Sequence, residues 1–180
     1  MKPCPMKRRF SGSGHRSDPL PIAAIQHTKK DVSGLTASPT DSTPVKIHLK
    51  TKITIGEESD SYELISFGRY YEKAGAVFLK YDEVQEEGTT NTIVKLTDRQ
   101  ALILRSGAVK MRMAFNEEEE QNGSYESQLG TLLLTTKTHS LSHTQMDTSL
   151  EGDFNLTYQL KMQGNPVGEY IMSIHYKEEA

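Results

Sequence analysis

From residue 45 onward, apolar and polar residues alternate along the chain. The first alternating segment carries its apolar side chains at Val45, Ile47, Leu49, Ile53 and Ile55. The same period returns near the C-terminal end, in residues 153–162 and 170–176. Because successive side chains of a strand point to opposite faces, this pattern predicts half-buried β-strands. No segment shows the apolar spacing of a helix over ten or more positions, so the sequence predicts an all-β fold.

Short groups of turn-forming residues separate the alternating segments. They occur at Gly56-Glu57-Glu58, Ala74-Gly75, Glu87-Gly88, Asp98-Arg99, Ser106-Gly107, Asn122-Gly123, Leu129-Gly130, Glu151-Gly152 and Gly164-Asn165-Pro166. Their spacing predicts about eight to ten strands in an antiparallel meander. An open meander has two exposed edges that invite aggregation, so a closed barrel is favoured and a two-sheet sandwich is the alternative.

The register of one hairpin can be predicted from its turn. A two-residue turn at Ser106-Gly107 would pair Arg105 with Ala108 and Leu104 with Val109. One apolar face of the hairpin would then contain Leu102, Leu104, Val109, Met111, Met113 and Phe115. The opposite face would contain Ile103, Arg105, Lys110 and Arg112.

Composition divides the chain at Pro44. Six of the seven prolines lie in residues 1–44, whereas all eight tyrosines follow them. Residues 1–44 carry seven Lys and Arg and three Asp, a net charge of +4, and residues 45–180 carry 14 cations and 21 acids, a net charge of −7. A segment with few large apolar groups cannot offset the entropy lost on folding. The sequence therefore predicts a disordered or non-native extension over 1–44 and a β-barrel domain over 45–180.

Net charge and cysteine content argue against several classes of protein. A formal charge of −3 does not suit a generally basic nucleic-acid binder or a polybasic membrane-surface protein, so nucleic acid is an unlikely partner. Cys4 alone cannot form an intramolecular disulfide, which is compatible with a reducing cytoplasm. No apolar run approaches the roughly 20 residues that span a bilayer, and we expect no membrane association.

The hairpin and its neighbours resemble a known family. The run RSGAVKM over 105–111, with the runs at 68–73, 92–95 and 130–138, is similar to the YwiB-like family of uncharacterised bacterial β-barrel proteins. The resemblance covers about residues 44–177. It implies a small closed barrel, similar in shape to the lipocalins and other calycins, in a cytoplasmic protein of Gram-positive-type bacteria. The family has no established activity, so the resemblance implies no catalytic residues.

The sequence offers little for catalysis or metal binding. His139 and His143 lie four residues apart, which on a strand is about 13 Å, too far to share one ion. There is no Gly-x-Ser-x-Gly motif and no Gly-rich phosphate loop, and the acid pairs cluster in predicted turns where carboxylates stay hydrated. We predict no catalytic residues, no metal and no cofactor, and an enzyme is the third-ranked hypothesis.

Two sets of residues are candidates for binding. The candidate ligand-binding set consists of the cationic residues Arg105, Lys110, Arg112, Lys137 and His139, which could gather to recognise carboxylate or phosphate. The alternative is that these residues are the charged exterior of a soluble barrel. The candidate cavity lining consists of Met111, Met113, Phe115, Phe154, Tyr158, Tyr170 and Met172, which either fill the barrel or surround a small ligand.

These features give two leading hypotheses for function. The first is a non-enzymatic barrel that holds a small, partly apolar molecule, which could carry an anionic group. The second is a protein interaction module that binds an acidic partner with the basic outer face of the hairpin.

Overall fold

The computed structural model describes residues 41–180, which form ten antiparallel β-strands. The strands are β1 (Thr43–Ile55), β2 (Glu58–Lys73), β3 (Ala76–Gln85), β4 (Gly88–Leu96), β5 (Gln100–Gly107), β6 (Met111–Asn116), β7 (Gln121–Ser127), β8 (Gly130–Gln145), β9 (Glu151–Met162) and β10 (Asn165–Glu178). Each strand pairs with its neighbours in sequence, and β10 pairs with β1 to close a barrel. The predicted all-β closed barrel is confirmed. Residues 1–40, which make up most of the predicted N-terminal extension, lie outside the described residues.

The alternating pattern determines which side chains fill the barrel. In β1, Val45, Ile47 and Leu49 point inward and are buried, while Lys46 and His48 between them lie on the outer face. The inward faces of β9 and β10 supply large buried side chains such as Phe154 and Tyr176. Each such side chain contributes about 1.5–3 kcal/mol through burial, so the interior face stabilises the closed form. Among residues 41–180, no helix has the length and apolar character needed to cross a bilayer.

The ladder between β1 and β10 closes the barrel. It runs from Val45 opposite Glu178 to Thr54 opposite Glu169, without a break. The turns that follow the odd-numbered strands lie at one end of the barrel, remote from Thr43 and from the end of β10. We call this the distal end.

Two ladders in the wall are short. The β2–β3 ladder ends where Gly68 pairs with Tyr81, so the first part of β2 and the last part of β3 form no ladder pairs toward the distal end, although the Ser66 hydroxyl donates to the carbonyl oxygen of Asp82 at 2.8 Å. The β6–β7 ladder is limited to Met111 opposite Tyr125 and Arg112 opposite Ser124.

The predicted register of the β5–β6 hairpin is wrong. Arg105 pairs with Met111 rather than with Ala108, because the connection has five residues instead of two. Val109 turns inward, and its backbone N–H donates to Thr90 Oγ1 at 3.2 Å, which folds the loop onto β4. The observed register differs from the predicted one by three positions. Because side chains alternate between the two faces, an odd difference places the side chains of one strand on the opposite face relative to those of the other. Ile103 and Arg105 therefore share the inner face with Met111, while Leu102 and Leu104 face outward.

Besides Ser106-Gly107, which ends β5, two further predicted turns lie inside strands. Gly123 belongs to β7 and Gly152 to β9, and the turns that were expected there fall at 117–120 and 146–150. A Cβ on Gly123 would lie 2.2 Å from the carbonyl oxygen of Arg112, and one on Gly152 would lie 2.4 Å from the hydroxyl of Tyr176. These glycines permit close packing inside the sheet rather than a turn.

Candidate functional site

A buried ion pair joins β3 and β5 inside the distal end of the barrel. The alternation of β3 points Leu79, Tyr81 and Glu83 inward, and the corrected hairpin register points Arg105 toward them. Arg105 Nη2 contacts Glu83 Oε1, and the two side chains are only 8% and 1% exposed. On β4 between them, Thr92 donates a hydrogen bond from Oγ1 to the same carboxylate oxygen at 2.8 Å.

The electrostatics of this pair keep the arginine charged and its neighbours neutral. Desolvation by itself lowers the pKa of Arg105, but the adjacent carboxylate of Glu83 outweighs it and the net pKa is raised. Burial, followed by the charge of Glu83, raises the pKa of Tyr81. Among residues 41–180, this is the one ion pair with both side chains buried, and the hydroxyl groups of Tyr81 and Thr92 beside it are neutral.

A cavity of about 40 Å³ lies beside Arg105. Its polar lining consists of Thr51, Tyr81, Thr92, Arg105, Tyr158 and Tyr170. Three methionines, Met111, Met113 and Met172, supply much of the apolar lining. A polar cavity needs roughly 10–15 Å³ for each water, so this one has room for about three waters or a molecule of a few heavy atoms.

Two hydroxyl groups of the lining lack a partner. Within residues 41–180, neither Thr51 Oγ1 nor the Tyr170 hydroxyl makes a hydrogen bond, although both atoms are buried. Tyr170 stacks on Tyr158 with ring centroids 5.0 Å apart, and burial raises its pKa to about 12, so its proton is retained. A buried polar group without a partner costs about 1–3 kcal/mol, which makes these two atoms suited to a bound molecule.

Most of the predicted cavity lining surrounds this cavity. Met111, Met113, Tyr158, Tyr170 and Met172 line it, whereas Phe115 and Phe154 are core residues outside the lining. Phe115 packs edge-on against Tyr158, with ring centroids 4.8 Å apart. That these residues bind a ligand remains a prediction.

The predicted cationic set does not share one face. Arg105 is inside the barrel, while Lys110 and Arg112 are outside it. Lys110 pairs with Glu126 at 3.3 Å, and Arg112 Nη1 donates to the carbonyl oxygen of Asn122 at 3.4 Å. The set is divided because the observed register of the β5–β6 hairpin differs from the predicted one by three positions. In the observed register, Arg105 lies on the opposite face of the sheet from Arg112.

The remaining two residues of the set lie on the exposed side of β8, beside the acidic loop at 117–120. Lys137 and His139 are exposed, and the loop reaches this part of the wall. Glu117 Oε1 accepts a hydrogen bond from the backbone of Leu141 at 2.6 Å, and Glu120 pairs with Lys161 at 3.3 Å. Across the described part of the chain, no group of three or more His, Cys, Asp or Glu side chains could hold a metal ion.

Sequence reasoning did not identify Glu83 or Thr92 as site residues. One signal was present, because Glu83 occupies the inward position that follows Leu79 and Tyr81 in the alternation of β3. An acid at a predicted core position implies a buried partner, and Arg105 becomes that partner only with the five-residue loop.

Comparisons with known proteins agree with this architecture. Residues 47–174 match the model of a domain of unknown function, DUF1934. The uncharacterised β-barrel protein YwiB of Bacillus subtilis (strain 168) is 33% identical over 139 residues, covering 75% of this chain and 94% of YwiB. The crystal structure of the ywiB protein from Bacillus subtilis superimposes with a TM-score of 0.69 at 30% identity, covering 77% of this chain and 94% of that one. The resemblance seen in the sequence is confirmed, and the chain belongs to the YwiB-like family of uncharacterised β-barrel proteins and carries a DUF1934 domain.

Proposed function

We propose that this protein is a non-enzymatic binding protein that holds a small, uncharged, partly apolar molecule inside its barrel, as lipocalin-like and other calycin-like barrels do. The observation that supports this most directly is the cavity beside Arg105 with two unpartnered hydroxyls, Thr51 Oγ1 and Tyr170 OH. These groups offer hydrogen-bond donors and acceptors at fixed positions.

The charge balance of the site favours a neutral ligand. Glu83 already compensates Arg105, so an anionic ligand would add an uncompensated charge to a buried region. A cationic ligand would meet the same penalty beside the guanidinium. An amide or hydroxyl group can satisfy Thr51 and Tyr170 without changing the net charge. The proposed ligand is therefore neutral, rather than a molecule with an anionic group.

The size of the cavity limits the ligand, and its lining allows some adjustment. About 40 Å³ accommodates only a few heavy atoms in the observed arrangement. Met111, Met113 and Met172 have unbranched side chains that can repack around ligands of different shape. A ligand somewhat larger than the cavity would be admitted by movement of these three side chains.

A series of small probes of different charge tests the charge preference. Propionamide and propionate have nearly the same shape and differ mainly in charge, and propylammonium supplies a cation on the same three-carbon chain. The methyl groups of Met111, Met113 and Met172 can be followed by NMR after ¹³C labelling. Propionamide should shift these three resonances with millimolar affinity, and the two charged probes should shift them much less. Equal shifts from propionate would contradict the proposed neutral ligand.

Substitutions of the unpartnered hydroxyls test the site itself. Thr51→Val and Tyr170→Phe should weaken propionamide binding without lowering thermal stability, since each removes a polar atom that has no partner. Thr138→Val is the matched control, because Thr138 Oγ1 is also buried without a partner but does not line the cavity. If all three variants bind propionamide like the wild type, the cavity is not the binding site.

We place this binding activity in the cytoplasm, on the ground that a single cysteine suits a reducing compartment. The alternative function, in which the β5–β6 hairpin binds an acidic protein, has lost its main support because Arg105 does not face outward.

A further inference from the structure

The outer surface of β2–β6 carries two rows of side chains that run across five strands. The first row consists of Tyr71, Phe78, Lys95, Leu102 and Ala114. The second row consists of Arg69, Lys80, Ile93, Leu104 and Arg112. We call these ten positions the outer β2–β6 face.

This face is positively charged, although residues 45–180 have a net charge of −7. Four of its ten positions are cations, and none is an acid. Among residues 41–180, no carboxylate forms an ion pair with Arg69, Lys80, Lys95 or Arg112. Some exposed cations elsewhere, such as Arg99 with Glu118, have acidic partners, whereas Lys46, Lys52, Lys73 and Lys137 have none among residues 41–180, so what distinguishes this face is that its four cations lie together with no acid among its ten positions. The face therefore presents uncompensated positive charge to an external anion.

The same face carries a pair of aromatic rings. Tyr71 and Phe78 stack with centroids 4.8 Å apart and an interplanar angle of 3°. Lys95 Nζ lies 5.8 Å from the centre of the Phe78 ring, which places a cation beside the aromatic pair. Both rings are only half-buried, so part of their surface can accept another planar group.

A cleft of about 200 Å³ adjoins the aromatic pair at Lys95. Lys95 and Arg112 contribute the cations of its lining, and Gln100, Asn116 and Gln121 contribute amide groups. No acidic side chain lines this cleft within the described part of the chain. Its amides can donate to and accept from the edges of a flat heterocycle, while the cations attract phosphate.

We propose that the outer β2–β6 face binds single-stranded nucleic acid. Cations along a surface neutralise the phosphates, and aromatic rings stack on bases that are not paired. Five strands spaced by about 4.8 Å span roughly 19 Å, which suits a site of about four nucleotides. A duplex is excluded because its bases are already stacked, and this smooth wall has no helix or ribbon to enter a groove. The net charge of −3 does not indicate this positive face, because acidic residues elsewhere in the chain outnumber its cations.

The proposal is tested by fluorescence anisotropy of the full chain with labelled 12-nucleotide oligouridine and oligodeoxyuridine, which differ only in the 2′-hydroxyl. With four phosphate contacts, a plot of the logarithm of the association constant against the logarithm of the salt concentration should have a slope of about −3. A duplex of the same length should bind much more weakly. Comparison of the two oligonucleotides shows whether the 2′-hydroxyl of RNA adds to the shared single-strand affinity.

Two charge variants with the same net charge locate the binding surface. The triple variant Lys80→Gln, Lys95→Gln and Arg112→Gln should lose about tenfold or more in affinity. The matched control is Lys46→Gln, Lys52→Gln and Lys137→Gln, which removes three exposed cations from other parts of the barrel. Both variants keep residues 1–40, so any contribution of that basic segment is common to them. Equal loss in the two variants would overturn the proposal.

An aromatic variant separates single-strand recognition from simple charge attraction. Tyr71→Leu with Phe78→Leu should lower oligonucleotide affinity about fivefold or more, because base stacking is lost. Unchanged affinity, in a variant with a wild-type circular dichroism spectrum, would overturn the proposal. A poly-glutamate peptide of equal charge serves as the competitor. If it displaces the oligonucleotide at equal concentration, the face binds acidic protein segments and the nucleic-acid proposal is wrong.

Discussion

Removal of Arg105 should destabilise the protein far more than removal of a surface arginine. The Arg105 and Glu83 side chains are 8% and 1% exposed, so Arg105→Met leaves a carboxylate buried without its counter-charge. Breaking a buried pair in this way costs about 3–5 kcal/mol. Domains are typically stable by only about 5–15 kcal/mol, so the expected loss is a large part of the total. The melting temperature should fall by roughly 6–20 °C.

A double-mutant cycle distinguishes the pair from general loss of packing. Glu83→Gln alone should also be costly, because it leaves the guanidinium buried without a carboxylate. The double variant should cost less than either single variant, since no unpaired charge remains, which gives a coupling energy of at least about 3 kcal/mol. Arg99→Met is the matched control, because Arg99 and Glu118 are 81% and 71% exposed and such pairs contribute about 0–1 kcal/mol.

Urea unfolding followed by far-UV circular dichroism is the appropriate assay, because the chain has no tryptophan to report by fluorescence. If the free energy of unfolding falls with urea concentration at the same slope in all variants, their unfolded states are comparable. The reasoning is refuted if Arg105→Met costs less than about 1 kcal/mol, or if the double variant costs the sum of the single variants.

Two further predictions concern the rest of the barrel. Burial lowers the pKa of His143, so its stabilising contribution is complete above the ordinary value of about 6.5 and is lost as the pH falls through the folded pKa. His143→Gln should therefore flatten the fall in stability between about pH 7 and pH 5 in urea titrations, and an unchanged profile would contradict this. Gly123→Ala places a Cβ 2.2 Å from the Arg112 carbonyl oxygen and should cost about 2–4 kcal/mol with faster amide exchange in β7. Ser124→Ala, at the next position, should change stability by less than about 0.5 kcal/mol, and equal losses would show that close packing at Gly123 is not the cause.

The sequence predicted the barrel well because its strongest patterns lie in the strands that close it. In residues 45–55 of β1 and in β9, no two apolar side chains are consecutive, and in residues 170–176 of β10 only Ile171 breaks the alternation, so the buried face of each strand is clear. The number of strands followed from the turns, although Gly123 and Gly152 were misread as turn residues. A glycine that relieves a steric clash looks the same in sequence as a glycine that allows a turn.

The candidate site was harder to predict because β5 is apolar on both faces. Leu102, Ile103 and Leu104 are consecutive, so the pattern alone cannot decide which of them points inward. That choice depends on the length of the loop before Met111. A two-residue turn gives β5 and β6 a shared apolar face that is as continuous as the one formed with the observed five-residue loop. The error moved Arg105 from the interior to the exterior and hid its pairing with Glu83. The cavity residues of β9 and β10 were unaffected, because their alternation leaves no such choice.

The pairing of the first strand with the last has a consequence for how the protein forms in the cell. Val45 lies opposite Glu178, so the final ladder joins residues that are separated by nearly the whole domain. Such distant contacts make folding slow and expose unpaired strands in the meantime. During synthesis, β1 has no lasting partner on its β10 side until β10 itself has left the ribosome. Completion of the barrel must therefore wait for β10, and a chain that stops before β10 would present the edge of β1 to chaperones and proteases.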